Sequence, residues 1–263
     1  MHNRITLSSN GAHLDAYIEE SQPSRDGILI IPGGGYYDVC ESREGSPIAK
    51  AFLNRGINAF VLAYNAGNDV RFPSHLKDAA LAMQYIKDNA KSLFVNPERI
   101  FVLGFSAGAH LAGTLSVMHK EAEDMLGITR GLARPAATVY CYPVVSAYQP
   151  THSGSFYYLT GKNPEDMNDS EKDKYSIEKR VNSDTPPAFI WHTVDDQVVP
   201  VYGSLKLLNS YINAGVTVSA HIYPTGPHGM ALANSVTSDK NPDWENKLVA
   251  GWLDYAVDFL KTV

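Results

Sequence analysis

Gly104-Phe105-Ser106-Ala107-Gly108 holds a serine with a glycine two residues away on either side. A serine hydroxyl turns nucleophilic only where the chain exposes it and a base can take its proton. Three fixed residues at about 7% frequency each would recur by chance in roughly one chain in ten of this length. The pentapeptide alone is therefore weak evidence, and its setting says more. The apolar run IFVL leads in and the small-residue stretch AGAHLAG leads out, a strand–turn–helix context that suits an exposed serine. Cβ atoms in place of either glycine would collide with the neighbouring strand and helix. The helix N-terminus favours negative charge developing beside Ser106.

Three further stretches supply what acyl transfer from such a serine requires. Pro32-Gly33-Gly34-Gly35-Tyr36 follows the apolar run ILII, and a glycine run lets backbone amides turn inward toward a developing oxyanion. A phosphate loop is the weaker reading, since no G-K-[ST] follows and the spacing is not G-x-G-x-x-G. Trp191 to Pro200 places the acid pair Asp195-Asp196 just past a second apolar run, where a carboxylate can hold an imidazole in one tautomer. Gly226-Pro227-His228-Gly229-Met230 then puts a histidine in a tight loop. The chain order Ser, Asp, His completes the set. Tyr36 and Tyr37 adjoin the glycine run and are placed to shape a substrate pocket. His110, His119, His152, His192 and His221 are scattered, without the H-x-x-x-H spacing of a zinc site, and read as core or surface groups. The chemistry asks for no metal and no cofactor.

The elements that position these residues alternate between strand-length apolar runs and stretches of helical period. That pattern marks βαβ units, hence an α/β fold with a mostly parallel sheet and helices on both faces. Strands are expected at Arg4–Leu7 and His13–Ile18, an antiparallel opening pair. Six more follow at Gly27–Ile31, Ile57–Tyr64, Ile100–Gly104, Ala137–Tyr142, Ala188–Thr193 and Val218–Tyr223. Helices are expected at Pro47–Arg55, Leu76–Leu93, Ala107–His119, Val201–Ala214 and Trp244–Leu260, the last burying Leu248, Trp252, Tyr255 and Leu260. Residues 146–187 are polar and too long for an ordinary loop. They read as a small insertion over the strand ends within a single domain spanning 1–263, at the edge where open α/β sheets bind ligands.

Composition narrows the partners. With 22 Lys and Arg against 28 Asp and Glu, the net charge of −6 argues against nucleic acid or an anionic membrane surface, both of which select a basic face. No apolar run approaches the roughly 20 residues of a membrane span, and the opening MHNRITLSSNG has no secretion signal. Cys40 and Cys141 read as free thiols of a reducing cytoplasm. A small-molecule ester is the expected partner. A homo-oligomer is compatible with this composition.

With these residues in hand, the chain resembles the small bacterial carboxylesterases and acetyl esterases, the acetyl-xylan-esterase-like α/β-hydrolases related to the hormone-sensitive-lipase group. The similarity runs through IPGGGY, REGSPIAKAFLNRGINAFVLAY, NPERIFVLGFSAGAHLAG, PPAFIWHTVDDQVVPV and YPTGPHGMAL, nearly the whole chain. The resemblance implies an eight-stranded α/β-hydrolase fold and a triad of Ser106, an acid of the VDDQVVP block and His228. It also implies that the amides of Gly34, Gly35 and Ala107 bind the oxyanion. In similar D-x-x-V-P blocks the acid stands five residues before the proline, which selects Asp195 and leaves Asp196 to cap the turn. Pro32 stands where the lipase group usually has histidine, and no large N-terminal cap is present, so short acyl groups are expected. The expected activity is hydrolysis of acetyl esters, including those of acetylated sugars. A peptidase or amidase, an aryl formamidase and a non-catalytic binding protein are the rival readings.

Overall fold

The computed structural model describes residues 2–7, 11–20 and 24–263. Residue 1 and residues 8–10 of the opening stretch lie outside them. Eight strands pair into one sheet among the described residues. They are β1 (His2–Thr6), β2 (His13–Tyr17), β3 (Arg25–Ile31), β4 (Ile57–Ala63), β5 (Val95–Phe105), β6 (Thr138–Cys141), β7 (Ala188–Thr193) and β8 (Val218–Tyr223). Their order is β1-β2-β4-β3-β5-β6-β7-β8, and the strands from β4 across to β8 run parallel. β2 pairs antiparallel with both β1 and β4, so the opening hairpin extends one edge.

The helices are α1 (Glu41–Glu44), α2 (Ser46–Leu53), α3 (Ser74–Asp88), α4 (Ala107–Val117), α5 (His119–Leu126), α6 (Ser153–Thr160), α7 (Asp169–Tyr175), α8 (Tyr202–Asn213) and α9 (Trp252–Leu260). They build an apolar layer on each face of the sheet. On β3, Leu29 and Ile31 point into the layer shared with α3, α4 and α8, while Ile28 and Ile30 point into the layer shared with α2 and α9. Burial on both faces explains why the central strands are apolar at consecutive positions rather than alternating.

The elements depart from expectation where local chemistry overrides periodicity. The closing helix begins at Trp252 rather than Trp244, because Pro242–Trp244 and Val249–Gly251 form separate 3₁₀ turns. Helical phase is then set by Trp252, Ala256 and Leu260, which are buried, and Leu248 and Tyr255 fall outside it and are exposed. The helix after Ser106 breaks at Met118, and α5 continues to a left-handed cap at Gly127. α3 ends at Asp88, five residues short of expectation, and β5 starts earlier, at Val95.

Register fixes where the chemistry sits. Ile31 pairs with Gly104, Phe105 with Cys141 and Thr193 with Tyr223, so β3, β5, β7 and β8 finish along one edge. The glycine run, Ser106, the acid pair and the His228 loop leave from that edge, and each lies within five residues of its strand's last residue.

Candidate active site

Ser106 sits at φ +52°, ψ −118°, a conformation that L-residues rarely adopt and that costs about 1–3 kcal/mol. Backbone hydrogen bonds hold it there, from its N–H to the Cys141 carbonyl (3.0 Å) and from the Val144 N–H to its own carbonyl (3.1 Å). The flanking glycines are enforced sterically. A Cβ at Gly104 would stand 2.3 Å from the Gly108 carbonyl oxygen, and one at Gly108 would stand 2.2 Å from that of Ile31. All these obstacles are backbone and cannot move aside. α4 follows at once with every residue buried, so its N-terminal amides point at Ser106 from a fixed support.

His228 brings Nε2 within 2.9 Å of Ser106 Oγ. Its Nδ1 lies 2.7 Å from Asp196 Oδ2, so the acid on this imidazole is Asp196 and not the expected Asp195. The reason lies in one turn after β7. Asp196 folds its carboxylate back beneath the turn, where Oδ1 accepts the N–H groups of Val198 and Val199, both at 2.9 Å. Oδ2 also meets Nε2 of the buried His192 at 3.2 Å, and Nδ1 of His192 is tied to Ser204 Oγ at 2.8 Å. Burial opposes the charge of Asp196, but the hydrogen bonds from His192 and His228, the charge of His228 and the Val199 amide outweigh it. Its pKa is therefore held well below the usual carboxylate range. Asp195 instead lies exposed and accepts the Gly226 N–H at 2.7 Å, fastening the loop that carries His228. Counting back from the proline selects Asp195 and misplaces the acid, because the roles of the two aspartates depend on the dihedrals of that turn. The sequence reading also missed His192, whose position four residues before Asp196 was the available signal.

The glycine run turns through positive φ at Gly34 (+125°), Gly35 (+67°) and Tyr36 (+64°). Gly34 and Gly35 border a cleft of about 520 Å³ that also contains Ser106 and His228. The amides of Gly34, Gly35 and Ala107 have no acceptor among the described residues. Tyr37 lines this cleft and packs against Tyr158 at 4.9 Å. Tyr36, expected beside it, is buried instead, with its hydroxyl 2.8 Å from His110 Nδ1. The left-handed backbone at Tyr36 turns its ring into the core.

Glu44 was missed as well. Its buried carboxylate accepts the Gly33 N–H (2.7 Å) and the Tyr142 hydroxyl (2.7 Å), and that hydroxyl accepts the Ala231 N–H (3.1 Å). The Tyr142 ring packs edgewise on His228 at 5.0 Å. Burial raises the Glu44 pKa despite these hydrogen bonds. Next to it, Arg43 donates to the carbonyls of Gly229 and Thr237 and lies over Trp244. The short helix α1 thus braces the glycine run against the histidine loop. Glu44→Gln keeps an acceptor for Gly33 but sets an N–H against the Tyr142 hydroxyl. Steady-state kinetics should show kcat falling about tenfold, the effect of displacing positioned groups rather than removing them.

Two other groupings stand apart. A recess of about 540 Å³ near the end of α4 is lined by charges that neutralise one another, Lys120 with Asp184 (2.8 Å), Arg130 with Asp124 (2.6 Å) and Arg180 with Glu121 (2.6 Å). His13, Asp15 and Glu41 approach one another at the sheet edge, where Arg4 already holds Asp15 at 2.8 Å.

The sheet order, the positive-φ serine between strand and helix, and the histidine loop after the last strand define an α/β-hydrolase fold. More narrowly, a family model described as BD-FAE matches residues 14–211, and the chain belongs to that family. It is 37% identical over 226 residues to the endo-1,4-beta-xylanase B of Butyrivibrio fibrisolvens, covering 84% of this chain and 35% of the relative. It is 32% identical over 234 residues to the acetylxylan esterase of Xylanibacter ruminicola, covering 87% and 46% respectively. The chain thus spans less than half the length of either of these relatives. Among solved structures, the acetyl ester-xyloside bifunctional hydrolase of Caldicellulosiruptor lactoaceticus superposes with a TM-score of 0.84 at 33% identity, covering 99% of this chain and 96% of that one. A carboxylesterase of Lactobacillus plantarum gives 0.85 at 26% identity, covering 100% and 96%. No helix among the described residues is long and apolar enough to cross a membrane.

Proposed function

We propose that the chain is a serine carboxylesterase that removes short acyl groups, acetyl above all, from acetylated sugars. The observation that carries this reading is the hydrogen-bonded series Ser106–His228–Asp196, at 2.9 and 2.7 Å, opening onto a cleft bordered by unbonded amides. His228 takes the Ser106 proton as Oγ attacks the ester carbonyl, and the amides of Gly34, Gly35 and Ala107 hold the oxyanion. The imidazolium, stabilised by Asp196, then protonates the departing alcohol oxygen. Water attacks the acyl-serine, giving a proton to the same His228, and the collapse of that adduct returns the proton to Ser106 and frees the acid.

The sugar component rests on the relatives named for acetylxylan and acetyl ester-xyloside hydrolysis, and on a cleft far larger than an acetyl group needs. The scarcity of cysteine, two in 263 residues, is the sequence feature behind a cytoplasmic setting in this reading. A panel of p-nitrophenyl esters of rising chain length, with acetylated xylo-oligosaccharides and a matched acetanilide, tests the reading. Acetyl should exceed octanoyl in kcat/KM by at least about tenfold, and the ester should exceed the amide. Preference for octanoyl would overturn the short-acyl claim, and preference for the amide would overturn the esterase claim.

A further inference from the structure

The geometry points to His152 as a specificity-determining residue whose Nε2–H donates to an oxygen of the substrate's alcohol half, a hydroxyl or ring oxygen of an acylated sugar. This rests on the esterase reading above and adds to it the group that selects the alcohol.

His152 lies in the polar 146–187 stretch and is the N-cap of α6, with its ring lining the same cleft as Ser106 and His228. Its Nδ1 has two partners. The backbone N–H of Ser155 donates to it at 3.3 Å, and the Ser155 hydroxyl lies 2.8 Å away. A backbone amide can only donate, so Nδ1 must be the unprotonated nitrogen, and the neutral ring carries its proton on Nε2. Burial, and then the nearby charge of His228, lower the pKa of His152, in the same sense as the acceptor role of Nδ1. Nε2 has no partner among the described residues and is not buried away from the cleft. Gly154 packs closely beside the ring, while Gly35 stands at ordinary contact distance from it. A Cβ at Gly154 would press to 3.3 Å of Cε1, and one at Gly35 would come to 3.9 Å. The cap therefore fixes the tautomer and leaves Nε2 as the donor.

The acyl half has no use for this donor. An acetyl group offers one carbonyl oxygen, which the three amides serve, and a methyl group. The ester oxygen takes its proton from His228. What remains is the alcohol half, for which a cleft of about 520 Å³ has ample room. The Tyr37–Tyr158 pair, with Tyr158 on the helix that His152 caps, gives that half an aromatic wall beside the donor. A polar donor next to an aromatic face suits a sugar better than an alkyl alcohol.

His152→Asn separates the cap from the donor. Asparagine is among the preferred N-caps and still accepts the Ser155 N–H, so α6 and Tyr158 stay in place, but its amide is too short to reproduce Nε2. The measurement is kcat/KM for an acetylated xyloside and for phenyl acetate, whose alcohol half offers no acceptor beyond the ester oxygen. The xyloside-to-phenyl ratio should fall about tenfold in His152→Asn, mainly through KM, the effect of one lost hydrogen bond. His152→Ala should show the same fall with a lower melting temperature. A wild type that hydrolyses both substrates, with a ratio unchanged in both variants, overturns this inference and leaves the esterase reading intact. A wild type active on phenyl acetate but on no acetylated sugar overturns this inference and the sugar component together. A wild type active on neither overturns the esterase reading itself.

Discussion

Ser106→Ala should lower kcat on p-nitrophenyl acetate by on the order of 10⁶-fold while leaving the melting temperature within a few degrees of wild type. Both halves of that result follow from the turn. Alanine has the same Cβ as serine, so the strain at φ +52° and the bonds to Cys141 and Val144 are unchanged. Only Oγ is lost, and with it the atom that His228 addresses at 2.9 Å. The amides of Gly34, Gly35 and Ala107 remain, so a residual rate roughly 10³–10⁴ above water is expected from oxyanion binding alone. A fluorophosphonate probe should label wild type at Ser106 and leave the variant unmodified. Retention of more than about a hundredth of wild-type kcat would point to another nucleophile.

Asp196→Asn should cost about 10⁴ in kcat, and Asp195→Asn less than tenfold. In the first variant the amide oxygen can still accept from Val198 and Val199, which obliges the NH₂ group to face His228 Nδ1. Nδ1 must then accept, the imidazole proton moves to Nε2, and the nitrogen facing Ser106 can no longer take a proton. In the second variant the asparagine oxygen still accepts the Gly226 N–H, so the loop keeps its fastening. Side-by-side kinetics of the two variants decide the assignment, and the reverse order of losses would return the acid to Asp195. The folded pKa of Asp196 lies below its ordinary value of 3.8, so its charge contributes stability that is fully present above that value. That contribution is lost only as pH falls through the depressed value, so protonation of Asp196 cannot account for any loss of activity near pH 5.

The inner strands β3 to β7 were legible because their apolar runs are buried on both faces, each with glycine, proline or polar punctuation. Five strand positions follow from that, while β1, β2 and β8 mix polar and apolar residues. The serine turn was legible for a different reason, since only glycine fits where backbone oxygens come within 2.3 Å of an added Cβ at Gly104 or Gly108. Information was lost where a role depends on a side chain's direction. Asp195 and Asp196 are chemically identical neighbours, and one turn decides which is shielded. Tyr36 and Tyr37 are likewise adjacent and identical, and positive φ at Tyr36 sends one ring to the core and leaves the other in the cleft. Glu44, His152 and His192 carry no motif, because each acts through partners far away in the chain or through a single turn.

The all-buried helix behind Ser106 has one more consequence. Every residue of α4 is fixed by packing, and the turn before it leaves no space for a larger side chain at either glycine. The other wall of the cleft is built differently, since α6 contributes His152 and Tyr158 to it from the polar 146–187 stretch, whose Tyr157 and Tyr158 are not buried. On the proposed reading, the groups that perform the reaction and the His152 and Tyr158 side chains that meet the alcohol half come from separate parts of the chain, with Tyr37 joining them from the glycine-run loop. A descendant could trade one alcohol for another by rewriting that wall and inherit the acyl chemistry unaltered.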